Sequence, residues 1–192
     1  MSWLQTLEIG VWNAWILMLY YPLHPLIMIV VDKAVGTGEI FKKMGDVPLE
    51  KGEKRDLISS MVVTLFLLAY SVILPLKLGT AWFFIGLTIY LVGMVMLLIA
   101  IVNVATTPLG QPFINWMYQY SRHPLYVAMS ITFVGVSIAT ASWIFLMLTI
   151  VIIILNISQA NAEERCCLKT FGDEYQEYMN RTHRWIGRPK SR

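Results

Sequence analysis

Apolar positions in this chain do not alternate with polar ones; they run together. Three stretches, 9–31, 57–75 and 82–103, contain no charged side chain. Each reaches the roughly 20 residues that a helix rising 1.5 Å per residue needs to cross about 30 Å of hydrocarbon. A fourth apolar stretch, 127–158, is too long for one ordinary span and has a small, polar centre at Ala139-Thr140-Ala141-Ser142. That centre predicts the tip of a helical hairpin. The pattern therefore predicts an all-α integral membrane protein with about five transmembrane helices. The last two form a hairpin over 124–158, and a cytoplasmic helical tail over 159–192 follows. We expect a single membrane domain over 1–192, with three N-terminal helices in 1–103 and a functional core in 104–192.

Composition agrees with the pattern: 57% of the 192 residues are apolar, 14% are charged and the mean hydropathy is +0.61. A soluble domain has about 25% charged residues, and disorder, collagen and a disulfide scaffold are excluded. Charge placement supports the hairpin, because cytoplasmic loops collect Lys and Arg. With a hairpin at 127–158, fourteen of the fifteen basic residues fall on one face, in loop 32–56, loop 104–122 and the tail. Only Lys77 falls on the other. A single span there would divide them eight to seven and give no orientation. The expected topology is N-terminus outside and C-terminus cytoplasmic.

The N-terminus lacks the basic region and small-residue cleavage site of a signal peptide, so the first helix is expected to be retained. Loop 32–56 mixes six basic with six acidic residues and five Gly or Pro, which predicts a solvated connector. Gly36-Thr37-Gly38 follows no predicted strand and is no phosphate cradle. Cys166 and Cys167 are the two cysteines, adjacent and facing a reducing compartment, so a packed helix face is expected rather than a disulfide, a zinc site or palmitoylation. Phe171, Tyr175 and Tyr178 recur at helical spacing and predict an aromatic face lying on the cytoplasmic membrane surface, with Trp185 extending it. The sequon Asn180-Arg181-Thr182 would sit in the cytoplasm, out of reach of glycosylation.

Polar groups near lipid need a partner or a function, and they concentrate in two places. One is Arg122-His123-Pro124-Leu125-Tyr126 at the entrance to the fourth helix. The other runs over 156–165, with Asn156, Gln159, Asn161, Glu163, Glu164 and Arg165. A hairpin brings the two together as a pocket of guanidinium, imidazole, phenol and carboxylates beside lipid. Such a pocket suits a zwitterionic cofactor and an amphiphilic substrate; the competing reading is an interfacial ion pair worth about 0–1 kcal/mol. His24, between Pro22 and Pro25, is expected to make an interhelical hydrogen bond at a proline kink.

The two clusters, followed by Phe171-Gly172-Asp173-Glu174-Tyr175, Tyr178 and Arg184-Trp185, resemble the integral membrane methyltransferases of the isoprenylcysteine carboxyl methyltransferase and phospholipid methyltransferase group. The resemblance covers about residues 100–187. It implies a cytoplasm-facing S-adenosylmethionine site in the C-terminal half and a lipophilic or lipidated substrate arriving from the bilayer. It implies membrane lipid as a partner, no nucleic acid and no metal. Carried over by position, His123, Tyr126, Glu164 and Tyr175 would bind the cofactor, while Arg122, Glu163 and Glu164 would serve the chemistry. The acceptor would be a prenylcysteine-like carboxylate, a phospholipid amine or another lipophilic nucleophile. Many relatives carry Gly-Pro-Tyr shortly before the Arg-His-Pro motif, whereas this chain has Thr106-Thr107-Pro108-Leu109-Gly110 and no such step.

Two other readings compete. Membrane sterol reductases have a similar C-terminal half and bind NADPH, but they are longer and show Gly and an acidic residue after the tyrosine, where this chain has Val127-Ala128-Met129. A non-enzymatic membrane subunit or transporter fragment would need no pocket, and the paired broken helices of a transporter are absent. The topology is directly testable: a fluorescent protein fused after Arg192 should report from the cytoplasm, and a signal from the opposite compartment refutes the charge argument.

Overall fold

A computed structural model describes residues 7–36 and 38–188, and Thr37, Arg192 and the end of tail 159–192 in the sequence analysis lie outside it. The described residues form seven α-helices and one 3₁₀ turn: α1 Trp15–Met18, α2 Tyr20–Val35, α3 Ile40–Met44, α4 Lys51–Ile73, α5 Ala81–Thr106, a 3₁₀ turn Trp116–Gln119, α6 Pro124–Ala139 and α7 Trp143–Arg181. Leu19 keeps helical angles between α1 and α2, so Trp15–Val35 is one rod. That rod, α4, α5 and α7 are each long and apolar enough to cross a membrane. The 16 residues of α6 are apolar but shorter, about 24 Å at 1.5 Å per residue.

Helix boundaries follow local chemistry. The first helix starts later than the apolar run because Asn13 bridges to Pro75, and its side-chain amide donates to the Glu8 and Val72 carbonyls. At the other end of the bundle, α4 starts inside the charged run. There Glu50 and Glu53 form a reciprocal capping box that supplies the orphan N–H groups of the first turn. Thr80 caps α5 and Ser142 caps α7. The turn over 140–142 makes α6 and α7 antiparallel neighbours, and Lys77 N–H donates to the Ala139 carbonyl at 3.0 Å. Residues 8–14, the α4–α5 turn and the hairpin tip thus share one end of the bundle.

The tightest seam joins α5 to α6. A Cβ on Gly86 would lie 2.2 Å from the Ala139 nitrogen, and one on Gly135 would lie 2.5 Å from the Tyr90 nitrogen. Where lipid is as apolar as the side chains, such backbone contact is what holds helices together. Across the same seam, α2 reaches α6 through the buried Tyr20 hydroxyl and Thr132 Oγ1 at 2.6 Å.

Three expectations are corrected. Loop 32–56 is only partly a solvated connector: Asp32 is buried and accepts the Ile40 N–H at 2.8 Å, and Lys43 donates to the Ala105 carbonyl at 2.5 Å. The loop therefore packs on the end of α5. His24 Nδ1 is buried without a hydrogen-bond partner, because the link between α2 and α6 is made one turn earlier by Tyr20. The aromatic face of the tail is not presented outward, because two of its rings pack into the protein. Gly172 interrupts α7 with φ 54° and ψ −127°, a conformation that glycine reaches without steric cost. Tyr175 and Tyr178 then turn inward and are buried.

Substituting Val for Gly135 should push α5 and α6 apart, at an overpacking cost of about 1–3 kcal/mol. The expected outcome is a lower unfolding midpoint in detergent; an unchanged midpoint would show that the seam relaxes freely.

Candidate active site

Pro124 opens α6, where its missing N–H costs nothing, and a residue before proline is held out of the helical region. His123 accordingly has φ −128° and ψ 58°, and its own N–H donates to Ser121 Oγ at 3.1 Å. Tyr126 follows three residues later on the same face. The antiparallel hairpin brings this entrance level with Glu163 and Glu164, beyond the apolar part of α7.

His123 lies between the two glutamates. Its Nε2 is 3.0 Å from Glu164 Oε1 and its Nδ1 is 3.3 Å from Glu163 Oε2, with the imidazole side chain only 3% exposed. Burial lowers the affinity of the ring for a proton, but the two carboxylates more than offset it and raise the pKa above its ordinary 6.5. Each ring nitrogen thus faces a carboxylate oxygen of a different glutamate. Tyr126 donates its hydroxyl to Glu163 Oε1 at 2.5 Å. The His123 ring is flanked by Tyr126 at 5.7 Å and Trp185 at 5.8 Å between centroids.

Glu164 gathers most of the charge. Besides His123 it meets Arg122 Nη1 at 3.2 Å, and Arg184 donates to it through Nε at 3.1 Å and Nη2 at 2.5 Å. Burial works to raise its carboxyl pKa; the bonds from His123 and Arg184 prevail and hold it at about 2. Arg184 also donates to Asn161 Oδ1 at 2.7 Å. At Glu164 itself two guanidiniums, Arg122 and Arg184, meet one carboxylate, an excess of one positive charge at that residue. Arg122 Nε is buried with no hydrogen-bond partner.

The chain past Gly172 completes this arrangement. Tyr178 donates to the Tyr118 carbonyl at 2.7 Å, Arg122 N–H to the His183 carbonyl at 3.0 Å, and Gly187 N–H to the Tyr120 carbonyl at 3.0 Å. These bonds lay residues 183–187 along residues 118–123. Sequence reasoning included 184–185 in the tail that helps form the site but gave Arg184 and Trp185 no individual role; the structure places Arg184 on Glu164 and Trp185 against His123. The signal that was missed is Gly172 itself, a glycine in an otherwise helical pattern.

All six residues expected at the site are brought close together: Arg122, His123, Tyr126, Glu163 and Glu164 in one network, and Tyr175 beside it. Tyr175 is buried against Tyr178, with ring centroids 5.4 Å apart. A second polar seam closes the neighbourhood, with Arg165 gripping Glu53 at 2.7 and 2.8 Å and Ser158 bonded to Asp56.

Residues 77–174, just over half of the chain, match the family model described as phospholipid methyltransferase. No curated protein matches the chain. The matched stretch contains Arg122, His123, Tyr126, Glu163 and Glu164 and stops short of Tyr175 and Arg184.

The two pKa shifts have opposite consequences for stability. Glu164, depressed from 4.5 to about 2, stabilises the folded chain above 4.5, and that contribution is lost as pH falls toward 2. His123, raised above 6.5, contributes fully below 6.5 and loses its contribution as pH rises through its folded value. Unfolding midpoints should therefore decline on both sides. His123→Gln should abolish the alkaline decline, and an alkaline limb that survives this substitution would show another group to be its source.

Proposed function

The chain belongs to the phospholipid methyltransferase family, and from that premise we propose that it transfers a methyl group from S-adenosylmethionine to a lipophilic acceptor at the cytoplasmic face of a membrane. Membership in the family implies a multi-pass membrane methyltransferase, in keeping with the four long apolar helices. Our reading adds α6 as a fifth span, with the N-terminus outside and the C-terminus cytoplasmic. The functional core is then 104–192, comprising hairpin 124–158 and the cofactor-binding tail 159–192.

The observation that carries the proposal is the positive excess around Glu164, with the Arg122 Nε donor buried and unpartnered. Such a cluster fits the carboxylate of an amino-acid moiety through charge-assisted hydrogen bonds. Aromatic faces at Tyr126, Tyr175 and Trp185 favour a neighbouring sulfonium. In this reading Arg122 and His123 hold the carboxylate, Glu164 orients both and accepts from the cofactor's polar groups, and Tyr126 and Tyr175 wall the site. When bound, S-adenosylmethionine supplies an electrophilic methyl group and departs as a neutral thioether.

The protein's share of catalysis is positioning and exclusion of water. Glu163, with its side chain 39% exposed, is the carboxylate left facing the acceptor. It accepts a hydrogen bond or proton from an amine nucleophile, while a carboxylate nucleophile needs no proton removed and is steered by Arg122. Tyr126 fixes Glu163 through its hydroxyl and joins the charged cluster to the membrane-embedded part of α6.

Calorimetric titration of the detergent-purified protein with S-adenosylhomocysteine, with NADPH as the rival ligand, tests this reading. S-Adenosylhomocysteine should bind and NADPH should not. His123→Ala and Glu164→Gln should each weaken binding about 10- to 100-fold, as expected for the loss of a charged hydrogen bond worth about 1.5–3 kcal/mol. His24→Ala should leave affinity unchanged. Binding of NADPH alone would replace methyl transfer with reduction; equal losses in all three variants would indicate misfolding and remove the assigned roles.

A further inference from the structure

Behind Tyr126 lies a cavity of about 160 Å³. Three helices line it over the same interval of seven residues: α4 from Leu57 to Thr64, α6 from Tyr126 to Phe133 and α7 from Ile152 to Gln159. At 1.5 Å per residue this is a slot about 10 Å deep, running along the helix axes. It occupies the gap left because α6 packs on α5 and α7 while α4 packs on α7. Tyr21 of α2 also contributes to the lining.

The slot is more polar toward the charged cluster, although Leu57 stands at that end and Thr64, its hydroxyl bonded to the Ser60 carbonyl at 2.8 Å, stands at the other. Ser60, Ser130, Asn156 and Gln159 lie toward the charged cluster, and Phe133, Ile152 and Tyr21 close the deep end, with Tyr21 and Phe133 5.9 Å apart between ring centroids. None of its lining residues is Lys, Arg, His, Asp or Glu. Most of the polar donors are already committed: Ser60 to Asn156 Oδ1, Ser130 to the Tyr126 carbonyl, and Gln159 to the Glu53 carbonyl. The Asn156 amide N–H₂ remains, enough for a carbonyl, ether or hydroxyl. A phosphate there would be desolvated with no cation to meet it, at a cost that buried anions do not bear unpaired.

Size restricts the occupant further. An apolar cavity of about 150 Å³ takes one benzene, so this slot holds one hydrocarbon chain and not two. At about 1.2 Å of advance per bond in an extended chain, a depth of about 10 Å takes roughly eight carbons. Tyr126 lines the slot and also bonds Glu163, so a chain seated there would place its polar end beside the proposed reaction site.

We propose that this slot receives the acceptor: a single-chain lipid with roughly six to eight carbons inside the protein, joined to its nucleophile through an uncharged polar linkage rather than a phosphodiester. The assignment rests on the methyl-transfer reading and deepens it. Phe133 is then the residue that sets chain length, and Ser60 guards the polar mouth.

The test uses the full chain in detergent and two photoreactive probes. One is a decan-1-ol carrying an alkyl diazirine; the other is a phosphatidylethanolamine carrying the diazirine in one acyl chain. Mass spectrometry locates the adducts, and S-adenosylhomocysteine binding is measured on the same samples. The decanol probe should label Met129 and Ile153, and the phospholipid probe should not. Ser60→Phe should cut that labelling about tenfold without changing product affinity. In Phe133→Ala, hexadecan-1-ol should overtake decan-1-ol as the better competitor. Labelling indifferent to Ser60→Phe, or equal labelling by the phospholipid, overturns the slot even when product binds. Slot labelling in a protein that binds no product overturns the methyl-transfer reading and, with it, the acceptor assignment.

Discussion

A single buried carboxylate organises the functional end of this protein. Glu164 is met by His123 and Arg122 from the entrance of α6 and by Arg184 from the segment after α7. An unpaired carboxylate at such a depth would be neutral or would destabilise the fold. With two guanidiniums and the His123 ring as partners it stays ionised and ties three parts of the chain to one point. Removing a partner therefore does more than delete a contact: it leaves charge in a place where water does not compensate it. Two guanidiniums on one carboxylate are the charge excess on which the proposed anion site rests.

Much of the architecture was legible because a bilayer leaves few options. Backbone polar groups in hydrocarbon must be satisfied within the segment, so long apolar runs become helices, and the four long ones appear where the runs lie. The meeting of 122–126 with 163–164 was legible for a related reason. Two helices joined by a three-residue turn must return to the same level, and the small residues at 139–142 marked the turn.

What was not legible came from interactions that apolar periodicity does not encode. The start of α4 depends on a reciprocal bond between two glutamates, which reads in the sequence as one more stretch of mixed charge. The spacing of Phe171, Tyr175 and Tyr178 suggested one face of one straight helix, yet Gly172 breaks that helix and turns the tyrosines inward. Trp185 and Arg184 consequently join the site from a distance in sequence that periodicity cannot span. His24 has the look of a functional residue between two prolines, but the hydroxyl of Tyr20 makes the interhelical bond in its place.

The return of residues 183–187 along residues 118–123 sets an order of events during synthesis. All the long apolar helices, and the 118–123 segment itself, emerge from the ribosome before Arg184 does. The bilayer can therefore receive every span while Glu164 still lacks one of its two guanidinium partners. The charged cluster closes last, by docking of a short segment from the aqueous side, so insertion into lipid and completion of the site are separate steps of biogenesis.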